Sequence, residues 1–453
     1  MGYSSRRGRR PQENASKSSH SYIVNDPTVI DFLHKCDLPK MAAEISLPQV
    51  LKSKVENVNK NPINYVIAID GGYSEVFVRK EFPSSTITFF QFGVLAFNVT
   101  DLEDLGEQPF IDPEDIAKLK NIQRLKLTIP TKNISLTGEK SLTDSVRRAL
   151  YDFFKAKVEG EQLLKTLKWF IFNEYQTPSS QWNLATCPNI QSDLHNVLLD
   201  KNKMQSDFTF TCEKCGERIF LTDVFRLHEA IDDELGAGGI LGYTTVLIEQ
   251  MLLVHLLKVI LNTKPSLLNE IIFIKDGPLA FFGQTANMHK PMRQLANFLL
   301  GKYNLYLAGL EKSGSFVDHA DEIANKLELG EVLLLNNEYI YKYIIPSNAD
   351  TSAPYARSSY YGGKLIYKAR SGGIYVVTVP VKDEKVVLSP SRKDFQNLDI
   401  ILSNIEKLRC DMYDSALIPV ALVNKLVSLA DHPSSAILER FAKAGVGAPR
   451  VVN

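Results

Sequence analysis

The chain has 453 residues and a formal net charge of +0, enough length for two or three domains but no global charge to coat a nucleic acid. Any such surface must be a local patch. With 44% hydrophobic and 23% charged residues it reads as a soluble globular protein, and its 5 cysteines are too few and too scattered for a disulfide scaffold.

Residues 1–22, rich in Ser, Arg and Gly, are expected to form a disordered basic tail. No apolar signal-peptide core is present there. Helices are expected from Pro27 to about Asn61. Ile63–Asp70, Ser74–Arg79 and Ser85–Asn98 are β-branched and aromatic and read as three strands of an antiparallel meander, with Asp70-Gly71-Gly72 as a hairpin signal. Ser141–Phe172 is helical by apolar spacing. Residues 176–235 read as an inserted module, polar and turn-rich over 176–218, where three cysteines fall.

Gly236–Gly242 is expected to be a flexible loop before a long helix, Tyr243–Asn262. The apolar run Val246–Ile260 within it is interrupted by Glu249, Gln250, His255 and Lys258, so no membrane span is expected, and a cytoplasmic location follows by default. Strands are then expected at Glu270–Lys275, Leu305–Leu310, Glu338–Ile345, Lys364–Ala369 and Gly373–Pro380. Helices are expected at Lys290–Tyr303, Ala320–Leu329, Pro419–Ala430 and Ala436–Ala444. This order predicts an α/β fold: a mixed sheet flanked by helices, in two halves (23–175 and 236–453) around the 176–235 module, with helical extensions.

Two positions share one local grammar. An apolar run leads into Asp70-Gly71-Gly72, and another leads into Asp276-Gly277-Pro278. An acid at the end of a strand, followed by glycine, places a carboxylate at a sheet rim where a ligand can reach it. Two such acids on adjacent strands repel, and a hard divalent cation with oxygen ligands removes the conflict. Glu249, on the apolar helix before the Asp276 strand, needs a partner or a metal. The plain alternative is a pair of ordinary Asp-Gly turns.

Cys212-Glu-Lys-Cys215-Gly is half of a zinc knuckle, its glycine allowing the tight turn. The expected second pair is incomplete: Cys187-Pro-Asn-Ile190 has Ile where a cysteine would stand, and His195 is the candidate fourth ligand. Bound Zn²⁺ and a relic ribbon held by its own packing both fit this pattern. The adjoining stretch 217–232 reads as structural, with His228 and Glu229 as candidates to line a site.

With VIAIDGG at 66–72, the helix carrying Glu249, FIKDGPL at 273–279 and LYLAGLEKSGS at 305–315, the chain resembles the NurA nucleases, partners of the HerA translocase, over roughly residues 60–440. The resemblance implies an RNase H-like core and hydrolysis of DNA assisted by two Mn²⁺ or Mg²⁺ ions. It assigns Asp70 as the ligand bridging both ions, Asp276 as the second Asp, and Glu249 as the helical Glu, with Glu270 and Glu229 as substitutes. Lys312 matches a basic family position able to steady a phosphate oxygen. The family's C-terminal histidine position holds Asn424 in IPVALVNK (418–425), with His432 the nearest replacement. The implied partners are DNA, a HerA-type hexameric ATPase and a second copy of the chain, in DNA end processing or anti-phage defence. Two rival readings are a catalytically impaired assembly subunit of a ring ATPase, and an actin-like phosphotransferase whose phosphate loop would be Ile69–Ser74.

Overall fold

The computed structural model of the protein describes residues 17–36, 40–100, 122–189, 194–345, 352, 355, 359–382, 388–410, 416–429 and 434–446. Nine strands make the central sheet: β1 (Lys52–Lys54), β2 (Tyr65–Arg79), β3 (Ser85–Asn98), β4 (Ile122–Lys132), β5 (Ile271–Asp276), β6 (Tyr306–Glu311), β7 (Glu331–Leu334), β8 (Gly362–Lys368) and β9 (Ile374–Pro380). Their order is β1-β7-β8-β9-β6-β5-β2-β3-β4. β5 runs parallel to both β2 and β6, and every other neighbouring pair is antiparallel. The helices are α1 (Lys17–Val24), α2 (Pro27–His34), α3 (Leu142–Phe154), α4 (Leu163–Ile171), α5 (Leu241–Thr263), α6 (His289–Lys302), α7 (Ser315–Ile323), α8 (Leu398–Lys407), α9 (Ile418–Val427) and α10 (Ser434–Gly445). The expected α/β architecture, a large mixed sheet flanked by helices, is present.

The central strands are unbroken apolar runs because both faces of the sheet are covered. Alternate residues of β2 point to opposite faces. Ile67 and Ile69 join one core with Phe92, Phe273 and the α5 residues Ile248 and Leu252. Val66 and Ala68 join another with Ile272, Ile274 and the α9 residues Val420 and Val423.

The helix α5 is long and apolar enough to cross a membrane but is mostly buried inside the protein. Several of its polar side chains have found partners there. The Tyr361 hydroxyl donates to Gln250 at 2.6 Å, His255 lies between the Thr166 hydroxyl (2.7 Å) and the Val158 carbonyl (2.8 Å), and Lys258 pairs with Glu161 at 2.6 Å. A buried helix keeps such residues only when they are satisfied in this way.

Several expectations are corrected. Asp70-Gly71-Gly72 is not a hairpin: β2 passes straight through it and the reversal to β3 comes after Arg79. The glycines serve close packing instead. A Cβ on Gly71 would stand 2.6 Å from Phe92 Cδ1, and one on Gly72 would stand 2.9 Å from the Val427 carbonyl oxygen. β4 was not expected, because Pro130 interrupts its pattern; Pro is tolerated there because β4 is an edge strand. The expected helix 141–172 is split into α3 and α4 by a two-residue hairpin turn in which Glu159 (φ 47°) and Gly160 (φ 80°) are both left-handed.

Residues 338–345, expected as a strand, form a helical turn at Asn337–Tyr339 capped by Asn336, followed by the wider turn Ile340–Ile344. The Tyr339 hydroxyl meets His319 Nε2 at 2.9 Å, so tertiary packing overrides the strand-like composition. Gly236–Gly242 is no flexible loop, for a 3₁₀ turn at Gly238–Ile240 leads directly into α5. The helices expected up to Asn61 end with α2, apart from short turns, and β1 follows. Residues 17–22, expected in the disordered tail, lie in α1, while residues 1–16 lie outside the described residues.

The 176–235 segment forms two small hairpins, Gln181–Leu184 with Val197–Asp200 and Thr209–Thr211 with Arg218–Phe220. It does not stand apart, because Leu184, Leu199, Phe210 and Ile219 share one core with α3, α4 and α5. Arg147 of α3, only 4% exposed, anchors it through Asp223 at 2.9 Å.

β2, β3 and α9 meet where Gly93 admits Val423 and Val427, whose methyls would lie 3.0 and 2.7 Å from an added Cβ. Gly93→Ala is therefore expected to destabilise the protein by about 1–3 kcal/mol, read from the midpoint of urea unfolding at constant m-value.

Candidate functional site

Parallel pairing of β2 with β5 runs in register up to Ile69 opposite Lys275. The next residues on the two strands are Asp70 and Asp276, on neighbouring strands roughly 4.8 Å apart. Chain reversal after Asp276 uses Gly277 at φ +80°, as the Asp-Gly pattern predicts at this one of the two positions. Asp70 is 3% exposed. Its Oδ1 accepts the Gly71 N–H at 2.8 Å, while no donor among the described residues meets Oδ2 with hydrogen-bond geometry. Lys312 follows β6 and pairs with Asp276 Oδ2 at 2.8 Å. Asn424, on α9, directs its side-chain amide toward Asp70. Four of the five expected residues thus gather around one point on the α9 side of the sheet.

Glu249 sits differently. Strand alternation puts Ile69 and Lys275 on the face covered by α5 and Asp70 on the face covered by α9. Glu249, on α5, reaches the sheet through the gap left by Gly71, its Oε1 lying 3.2 Å from where a Cβ would stand. Its Oε2 is 2.6 Å from Lys275 Nζ, and both side chains are buried. Lys275 also donates to the Asp276 main-chain carbonyl. Sequence reasoning named the acids but missed Lys275. It stands at a buried position of an apolar strand, beside an acid, and that was the available signal.

Burial pushes the Asp70 carboxyl up to about 6, reinforced by the charge of Asp276 and opposed by Lys312, the Gly71 amide and Asn424. Burial likewise pushes Glu249 up to about 7, with Lys275 opposing and the charges of Asp70 and Asp276 adding to the rise. Buried carboxylates that raise one another's pKa are uncompensated negative charge, which a hard divalent cation would neutralise. The unpartnered Asp70 oxygen is the donor such a cation would find. The ligand atoms of Asp70, Glu249 and Asp276 do not all fall within 4.8 Å of one another, a spacing that among the described residues only the cysteine–histidine set achieves.

That set is Cys187, His195, Cys212 and Cys215. Cys187 and Cys215 have sulfurs 3.6 Å apart without a disulfide, and His195 Nε2 lies 3.1 Å from Cys212 Sγ. Gly216, at φ +73°, closes the knuckle by donating to the Cys212 carbonyl at 2.9 Å. At Cys212 burial is outweighed by the amides of Cys215 and Lys214, which hold the thiol below its usual value, whereas burial pushes Cys187 up to about 12. Three thiols and one imidazole whose ligand atoms all lie within 4.8 Å of one another form a four-donor set that can hold a metal such as zinc. His195 completes the set that Ile190 cannot. A cavity of about 310 Å³ opens beside it, lined by Phe210 and Lys214 among others and by none of the carboxylate cluster.

The remaining candidates fall elsewhere. Glu270 precedes β5 at the end opposite Asp276 and accepts from Asn64 at 3.0 Å. Glu229 is paired with Arg226 at 2.6 Å. His228 is buried against the Thr186 carbonyl at 3.2 Å, a structural role. His432 lies outside the described residues. Gly71 and Gly72, inside a continuous strand, offer no phosphate-cradling loop. No family model matches the chain, and no curated protein is similar to it at a significant level.

Two outcomes follow from this geometry. The purified protein is expected to carry one zinc per chain by plasma mass spectrometry, and Cys212→Ser to lose it with a lowered melting temperature. Because burial raises the Asp70 carboxyl from 3.8 to about 6, charging it opposes folding. The penalty is absent below the unfolded value, grows through the folded one and is complete above it. Without Mg²⁺ or Mn²⁺, Asp70→Asn is expected to be more stable than the wild type near about pH 8 and to lose that advantage near about pH 4, measured by denaturant titration at both.

Proposed function

We propose that this chain is a divalent-cation-dependent DNA nuclease of the NurA type, built on an RNase H-like core with a zinc-ribbon-like segment packed against it. One observation carries the reading: two acids end up side by side on adjacent parallel strands, one of them with a buried oxygen that no donor among the described residues meets in hydrogen-bond geometry. The antiparallel β2-β3-β4 meander followed by parallel β5 and β6 is compatible with the core that the sequence resemblance implies. The Asp276-to-Lys312 contact supports the match to the family's basic position.

In this reading Asp70 and Asp276 hold Mn²⁺ or Mg²⁺, which supplies Lewis acidity toward a phosphodiester and its attacking water. Lys312, about a quarter exposed and lightly held, turns from Asp276 to a non-bridging phosphate oxygen when substrate arrives. Asn424 orients the Asp70 carboxylate and donates to phosphate, but cannot carry a proton. Proton transfer therefore falls to solvent. A HerA-type hexameric ATPase feeding DNA to a dimer of this chain, in end processing or anti-phage defence, completes the proposal.

A second reading, an assembly subunit of a ring ATPase without cleavage activity, is favoured by Glu249 being already committed to Lys275 and by Asn424 at the histidine position. Cleavage of end-labelled DNA in Mn²⁺, with and without a ring ATPase, separates the two. Asp70→Asn and Asp276→Asn are each expected to lower it by at least about a hundredfold. Equal cleavage by the wild type and both variants, or none by any, hands the case to the assembly reading.

A further inference from the structure

We propose that the Lys275 ammonium permanently occupies the place a second divalent cation would take beside Glu249, so that the site binds one divalent ion, at Asp70 and Asp276. This rests on the nuclease reading above and deepens it by fixing the number of ions.

Lys275 is 2% exposed, on a strand with neighbours on both sides, so its side chain cannot leave for solvent without crossing the core. Its Nζ is held by Glu249 Oε2 at 2.6 Å and by the Asp276 carbonyl, and lies 3.6 Å from where a Cβ on Gly277 would stand. A cation beside Glu249 would meet this ammonium at a distance where like charges repel strongly in a buried setting. The opposite face differs. There Asp70 Oδ2 lacks a hydrogen-bond partner among the described residues, and Lys312, the cation paired with Asp276, is 28% exposed, with solvent to turn into.

Charge balance points the same way. Glu249 and Lys275 cancel on one face, while Asp70, Asp276 and Lys312 leave a single negative charge on the other. One divalent ion turns that into a single positive charge, equal and opposite to a phosphodiester. Two ions would leave an excess that one phosphodiester cannot match.

The test is Mn²⁺ binding to the zinc-loaded full-length protein, counted by electron paramagnetic resonance of free Mn²⁺ and inspected for spin coupling between bound ions. The wild type is expected to bind one Asp70-dependent Mn²⁺ without spin coupling. Lys275→Met is expected to admit a second, coupled ion beside the freed Glu249. The double variant Lys275→Met with Glu249→Gln removes both charges of the pair, which protects folding if the single variant fails, and is expected to return to one ion. Two coupled ions in the wild type, a single ion in folded Lys275→Met, or loss of the ion in the double variant would overturn the inference while leaving a metal-dependent nuclease standing. Absence of any Mn²⁺ binding that Asp70→Asn removes would overturn the nuclease reading itself.

Discussion

Parallel registration of β2 with β5 brings two carboxylates to the same level of a sheet whose faces are both covered, one of them, Asp70, buried away from water and the other, Asp276, partly exposed. Most of the surrounding design answers that repulsion. Lys312 takes one Asp276 oxygen, the Gly71 amide takes one Asp70 oxygen, and Asn424 approaches from α9. One oxygen remains unsatisfied.

The two faces of the sheet treat charge in opposite ways. Under α5, Glu249 and Lys275 form a closed ion pair, costly to desolvate and costlier to break. Under α9, the acids keep partly exposed company, and one Asp70 oxygen has no hydrogen-bond partner among the described residues. Glycine makes both arrangements possible: Gly71 lets Glu249 approach the strand, and Gly72 and Gly93 let α9 lie close enough for Asn424 to reach Asp70. The cysteine–histidine set works at a different level. It ties together two short hairpins that have little core of their own, while Arg147 and the shared apolar cluster fasten them to α3 and α5.

Periodicity and residue chemistry were enough to find most of the strands and helices of the fold, the two acids and the four candidate zinc ligands, while Lys312 was named only through the family resemblance. Misreadings came where one local signal has two physical uses. Asp-Gly-Gly marks a turn or a place where packing forbids a side chain, and only the neighbours Phe92 and Val427 decide for the second. Tyr-rich residues 338–345 suit a strand or a tightly packed helical turn, and the His319 contact selects the turn. Lys275 was passed over because a lysine in a strand is ordinarily solvated, and nothing local says that Glu249 stands across from it.

The amino-acid sequence by itself determined the α/β pattern and the candidate metal-ligating residue types, because hydrophobic period and side-chain donor chemistry are properties of short segments. Only the tertiary structure decided that Asp70 and Asp276 are neighbours, that Glu249 is spoken for, and that His195 rather than a fourth cysteine completes the thiol cluster. Those facts depend on strand register, on which face each side chain takes and on loop closure, and these are set by contacts between residues from about 26 to about 206 positions apart rather than by any short segment.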